Sequence, residues 1–338
     1  MKSKELGGML CLLLTALIWG FAFVSQVQGM DTMTPLFFNA VRFSLGAVSL
    51  VPILLVTGRK KDGGGGPATG SMGGGRKPGW RTNPAVVGAI CGAFLFTAST
   101  LQQYGILYGR SAGQAGFITA LYIVLVPLLA FVFLRRRVTA MVGVAVAVSV
   151  VGFYLLCITD GFGSLTLADL LLLFTAFLFA AHILVIDELG SAVDALKLSF
   201  AQFVTTAALS WIGSFIEGSV NWDGALAAWI PILYAGLGSV GVAYTLQVVG
   251  QQWVPPTRAS LIMSLESFFS VVGGALFLGE VMTPRGYLGC ALIFAGTMLA
   301  QAPAKLPRWM ARTPEAANTS DAMNATDATG QSGKDDRS

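Results

Sequence analysis

Apolar residues fill long runs along this chain, and polar positions collect in the short stretches between them. A run of about 20 residues is enough to cross the roughly 30 Å of bilayer hydrocarbon. Ten runs approach that length, at 7–26, 34–57, 84–106, 112–134, 138–157, 167–187, 197–216, 225–248, 257–278 and 283–302. The pattern predicts an all-α integral membrane protein with ten transmembrane helices and no room between them for a soluble domain. Residues 58–83 are Gly-rich and basic, which reads as a flexible linker. Residues 303–338 have few large apolar side chains and read as a disordered tail. The first run follows Lys2 and Lys4 as a signal peptide would. It is longer than a signal core and no A-x-A-like cleavage site follows it, so a retained first helix is expected.

Composition sharpens this picture. Of 338 residues, 54% are hydrophobic and 11% charged, against about 25% charged in soluble proteins. A cytosolic enzyme, a nucleic-acid binder and a disulfide-built secreted domain are excluded. Cys11, Cys91, Cys157 and Cys290 all lie in apolar runs without CxxC or Cys/His spacing, so they read as packing residues. No metal and no cofactor are expected. With a cytoplasmic N-terminus, eighteen of the 21 Lys and Arg fall on the cytoplasmic side, Arg110 and Arg285 fall outside, and Arg42 lies within the second run. That asymmetry predicts both termini inside.

The chain also repeats itself. At an offset of 144, Ala115, Ile118, Leu121, Leu134, Thr139, Ala147, Gly152 and Leu155 match Ala259, Ile262, Leu265, Leu278, Thr283, Ala291, Gly296 and Leu299. One residue of slip aligns Thr100-Leu101-Gln102-x-x-Gly105 with Thr245-Leu246-Gln247-x-x-Gly250. The repeat unit is five helices, residues 1–157 and 158–302. An odd number forces the copies to insert with opposite orientation. Inverted repeats around a shared site are a mark of secondary transporters, because exchanging the conformations of the halves gives alternating access.

Several motifs point the same way. They are Trp19-Gly20, Pro35 followed by Arg42, Ala115-x-x-x-Thr119-Ala-Leu-Tyr122, Ala259-Ser260-Leu-x-x-Ser264-Leu-Glu266, and Leu276-x-Leu278-Gly279-Glu280. In these the chain resembles the drug/metabolite transporter superfamily, specifically its EamA type, over about residues 7–302. It departs from the pattern at Arg135-Arg136, where first halves often carry Gly-Glu, and at Ser267, where many relatives have Pro. The resemblance implies ten helices, a central cavity lined mainly by helices 1, 3, 4, 6, 8 and 9, and uptake or export of small metabolites.

Ionisable groups at membrane depth are costly and therefore informative. Glu266 lies about ten residues into the ninth run, roughly 15 Å deep at 1.5 Å per residue. It suits reversible proton binding or pairing with a substrate amine, or else it is a hydrogen-bonded strut. Its repeat mate is Tyr122. Arg42 is the only basic residue well inside a run; it suits a substrate carboxylate, or snorkels to a helix end. His182 is the only histidine, a candidate for substrate contact or an ordinary buried imidazole. Gln102 and Gln247 are repeat-related amides able to bond substrate or neighbouring helices. Trp19 and Tyr244 are candidate aromatic walls, and Asn39 completes the candidate substrate-binding set. Asp187 and Glu188 read as interfacial. Pro52, Pro127 and Pro231 interrupt runs and are expected to perturb them.

The expected function is a permease or exporter of the cytoplasmic membrane, with a small molecule and the lipid bilayer as partners and no nucleic acid. An amino acid or related compound is the favoured substrate, with Glu266 as the proton-coupling group; homodimerisation is left open. No Walker motif points to ATP, and no HExxH, GxSxG or DDxxD supports the alternative, an intramembrane enzyme. A non-transporting membrane sensor is the other alternative.

Overall fold

The computed structural model describes residues 3–62, 80–136, 140–158, 165–190, 193–254 and 262–300. Residues 63–79 of the expected linker, Arg137, Thr139, Arg258, Ala259-Ser260 and the expected tail lie outside the described residues. Among those described, the secondary structure is helical throughout. We number the α-helices α1 (Ser3–Gly29), α2 (Pro35–Asp62), α3 (Pro84–Gly109), α4 (Ala112–Ala120), α5 (Tyr122–Leu134), α6 (Ala140–Cys157), α7 (Leu167–Gly190), α8 (Ala195–Glu217), α9 (Trp222–Ala227), α10 (Trp229–Leu233), α11 (Tyr244–Trp253), α12 (Leu265–Leu278) and α13 (Pro284–Ala300).

Among the described residues, eight stretches are long and apolar enough to cross a membrane: Lys4–Gly29, Pro35–Val56, Pro84–Gly109, Ala112–Leu134, Ala140–Cys157, Leu167–Leu189, Leu196–Glu217 and Trp229–Gln247. The described part of the ninth expected run, Leu265–Leu278, is a shorter apolar helix, and Pro284–Ala300 has 17 residues. Exposed Leu, Val, Ile and Phe side chains on many of these helices form the apolar exterior that a bilayer requires.

One expectation needs correction, and two of the expected runs carry an internal irregularity. The linker begins later than expected, because α2 continues to Asp62 through Arg59, Lys60 and Lys61. Arg and Lys are good helix formers, and extending an existing helix needs no new nucleus. The fourth run spans Ala112–Leu134 but is irregular at Leu121, which donates to Ile118 O and accepts from both Val124 N and Leu125 N. Pro127 beyond that point offers no backbone donor. The eighth run is irregular too. After α10, which contains Pro231, residues Tyr234–Ala243 widen into a π-helix before α11 resumes.

Polar contacts between distant helices show which ends lie together. At one end Arg110 pairs with Asp31, Tyr104 donates to Glu217 at 2.7 Å, and Glu280 meets the start of α4. At the other, Arg136 meets Asp187 and Glu188 near the end of α7. These contacts fit helices that alternate in direction along the chain. Helices α6 and α13 pack where small residues face each other. A Cβ on Gly152 would lie 2.7 Å from Gly289 O, and one on Gly289 would lie 2.7 Å from Gly152 O. Close backbone approach of this kind is how helices associate in lipid, where hydrophobic burial offers little drive.

Candidate functional site

Glu266 begins the site. It sits in the first turn of α12, just past Ser264, a turn residue at φ −63°, ψ −15°. Tyr122 occupies the matching place in the first half, just past the turn at Leu121 (φ −58°, ψ −18°). Irregular helix at membrane depth is tolerated only inside protein or along a cavity. Glu266 is half-buried and forms no hydrogen bond or ion pair among the described residues. Its carboxylate charge instead reaches the Tyr122 and Tyr244 hydroxyls.

The positive counterpart is Arg42. It is buried on α2 at 6% exposure. Its guanidinium carbon lies 4.8 Å from the centre of the Phe43 ring and 5.6 Å from that of Phe38. Stacking of this kind stabilises a guanidinium where water is scarce. Arg42 makes no ion pair among the described residues, and its Nε has no hydrogen-bond partner there. Tyr244 lies within electrostatic reach of both Arg42 and Glu266. One helical turn before Arg42, Asn39 is fully enclosed, and neither its amide nitrogen nor its oxygen has a partner.

Aromatic rings join these groups. Tyr244 packs edge-on against Trp19 at 5.2 Å and against Phe203 at 5.1 Å, and Phe203 lies 6.1 Å from Phe43. Trp19 donates its indole N–H to Ser239 O at 3.0 Å, an acceptor inside the π-helix. Thr15 donates to Ala243 O and Tyr234 donates to Ile18 O, so α1 is pinned along the same segment. The structure therefore brings Trp19, Arg42, Tyr122, Tyr244 and Glu266 into one neighbourhood. Gln247, one turn after Tyr244, reaches Met263 Sδ at 3.5 Å and borders it.

Gln102 and His182 each have a side-chain partner of their own. Gln102 donates to Thr119 Oγ1 at 3.3 Å, and His182 Nε2 lies 3.1 Å from Gln202 Oε1. Asp187 and Glu188, expected to be interfacial, are exposed and both bind Arg136.

Sequence reasoning missed several buried polar residues. Gln103, beside the chosen Gln102, is fully buried and donates to Gln26 O. Asp169 is 2% exposed and accepts from Gln114 Nε2 at 2.6 Å and from Thr166 N and Oγ1. Its spacing from Thr166 is the capping-box signature, so that contact was readable. Glu280 accepts from Ser111 Oγ at 2.9 Å, Ala112 N at 2.6 Å and Gly113 N at 3.1 Å. Two clefts open near the helix ends and away from the central cluster. One, of about 420 Å³, is lined by Tyr108, Ser111, Gln114, Thr166 and Asp169 among others; the second, of about 390 Å³, lies by Leu54, Pro84, Lys197 and Phe200. No group of three or more His, Cys, Asp or Glu is placed to hold a metal among the described residues.

Comparison with known proteins adds four findings. The family model described as the EamA-like transporter family matches residues 6–158 and 166–301. An uncharacterised transporter of Archaeoglobus fulgidus is 29% identical over 305 residues, covering 88% of this chain and 86% of that protein. The threonine/homoserine exporter RhtA of Escherichia coli K12 is 26% identical over 121 residues, 36% of this chain and 40% of the exporter. A solved crystal structure shares the fold, with a TM-score of 0.59 at 18% identity over 90% of this chain and 99% of that one.

Proposed function

Because the chain belongs to the EamA-like transporter family, we propose that it is a secondary transporter that carries a small zwitterion, an amino acid or close relative, across the cytoplasmic membrane by alternating access. The observation that carries this reading is the pair of charges, Arg42 and Glu266, without an ion-pair partner among the described residues and both within electrostatic reach of Tyr244. A buried charge without a partner is strongly unfavourable. A zwitterion relieves both at once, its carboxylate on Arg42 and its ammonium on Glu266. Asn39 offers a donor and an acceptor one turn away, and Trp19, Tyr122 and Tyr244 wall the site. In the empty carrier a proton on Glu266 takes the place of the ammonium, which couples transport to the proton gradient. The partial likeness to a threonine/homoserine exporter supports a small amino acid as cargo.

In this reading the chain crosses the membrane ten times as two inverted five-helix repeats, 1–157 and 158–302, with both termini and the segment 303–338 in the cytoplasm. The two separately matched stretches, 6–158 and 166–301, support that division. So do the helix breaks at Leu121 and Ser264, which lie within one residue of each other in the repeat register.

Thermal unfolding of the purified protein tests the binding site. A ligand at about 100 times its dissociation constant adds roughly 2.7 kcal/mol to the folded state, a rise of several degrees. L-threonine or L-homoserine is expected to raise the midpoint, whereas threonine methyl ester and N-acetylthreonine are not. Arg42→Gln and Glu266→Gln should each abolish the rise. Equal stabilisation by the ester and the N-acetyl compound would rule out a site that reads both charges.

A further inference from the structure

Two helix ends, 144 residues apart in sequence, are built alike. After α5 the chain turns through Arg135 at φ 53°, and Arg136 N bonds Ala130 O at 3.1 Å. After α12 it turns through Gly279 at φ 65°, and Glu280 N bonds Gly274 O at 3.1 Å. Each turn delivers the side chain that follows it to one end of the bundle. The two side chains carry opposite charge, and the structure gives each a fitting partner.

Glu280 faces the N-terminus of α4. Its two oxygens accept from Ser111 Oγ, Ala112 N and Gly113 N. The amides at a helix N-terminus lack partners within the helix and favour negative charge, so a carboxylate is well suited there. The bond ties the end of α12 to the start of α4. These are the two helices whose breaks position Glu266 and Tyr122, and Ser111 also lines the 420 Å³ cleft at that end. Arg136 does the converse at the other end. Its Nη1 donates to Asp187 Oδ2 at 2.7 Å and its Nη2 donates to Glu188 Oε1 at 2.5 Å, which ties the end of α5 to the end of α7.

From these contacts we propose that Glu280 and Arg136 are opposed latches of the transport pathway, Glu280 holding the Asp31 end shut and Arg136 the opposite end. They act as positioning residues and do not touch the substrate. The inference rests on the alternating-access reading above. Opening one end requires its latch to break while the other holds, so weakening either latch shifts the population towards the state in which the other is made.

Amide hydrogen exchange on the full chain in lipid nanodiscs reads this without substrate. In Glu280→Gln, exchange at Ala112 and Gly113 should rise about tenfold, in line with losing charge-assisted hydrogen bonds. Exchange in the last turn of α7 should fall. In Arg136→Gln, the last turn of α7 should exchange about two- to fivefold faster, as befits half-exposed ion pairs, and Ala112 and Gly113 should exchange more slowly. Arg136→Lys should restore part of the wild-type pattern. A purely structural role predicts faster exchange only beside the altered residue, and that result would overturn the proposal. If Glu280→Gln loses protection throughout the chain, Ser111→Ala, which removes one of the three hydrogen bonds together with the cap bond to Gln114 N, carries the test through slower exchange in the last turn of α7. Reciprocal exchange without any amino-acid flux would sink the substrate reading and leave the latches standing. Flux with purely local exchange would do the reverse.

Discussion

A polar side chain buried between transmembrane helices does one of two things: it satisfies a neighbour permanently or it waits for a ligand. His182 and Gln202 are of the first kind, bonded to each other at 3.1 Å and both almost fully buried. Removing one partner strands the other, which costs about 1–3 kcal/mol. His182→Leu is therefore expected to lower the unfolding midpoint while leaving substrate affinity unchanged, and Gln202→Leu added to it should recover much of the loss. A changed affinity with an unchanged midpoint would move His182 into the substrate site. In the proposed function Arg42 and Glu266 are of the second kind. Both were legible in the sequence, because a lone charge in an apolar run stands out without any knowledge of its neighbours. Tyr122 became legible through its repeat mate. The enclosure of Asn39 and the contacts of Glu280 were not legible, since Ala112 lies 168 residues from Glu280 in the chain and no local pattern predicts which helix end a carboxylate will meet.

Helices in lipid are held by fit, so the element scale is sensitive to added volume. At the crossing of α6 and α13, Gly152 and Gly289 each leave space that the other's backbone fills. Gly152→Val must push the two helices apart, and overpacking of this kind costs about 1–3 kcal/mol or more. The expected result is a lower unfolding midpoint in detergent, with a smaller effect for Gly143→Val on the same helix, where nothing lies within 4 Å of an added Cβ. Equal effects at the two positions would contradict close packing at the crossing. The existence and approximate limits of most helices could be read from run length alone. The breaks could not. A helix that is apolar on every face gives no periodic signal from which an irregularity can be detected. The turn at Leu121 and the π-helix at Tyr234–Ala243 therefore fall inside runs that look uniform. Both irregularities occur next to candidate site residues, where departures from regular helix are most often useful.

For the whole molecule, the polar contacts at each end group helix termini as an alternating up-and-down path requires, and the central charges lie between those ends. The membrane class, the succession of helices and the kinship with EamA-type transporters were all legible in composition, run length and motifs, because a bilayer imposes constraints that few sequences meet by chance. The substrate was not, since a handful of side chains at the centre decides it. In the proposed function the protein moves a zwitterion through a site where Glu266 exchanges a proton for an ammonium group. Uptake of labelled L-threonine into proteoliposomes under an imposed pH gradient, wild type beside Glu266→Gln, tests it most directly. Gradient-driven accumulation is expected for the wild-type protein and at least about a tenfold loss in the variant, the scale expected when a charged contact worth 1.4 kcal/mol or more is removed. Accumulation of equal size and equal pH dependence in both proteins would contradict it.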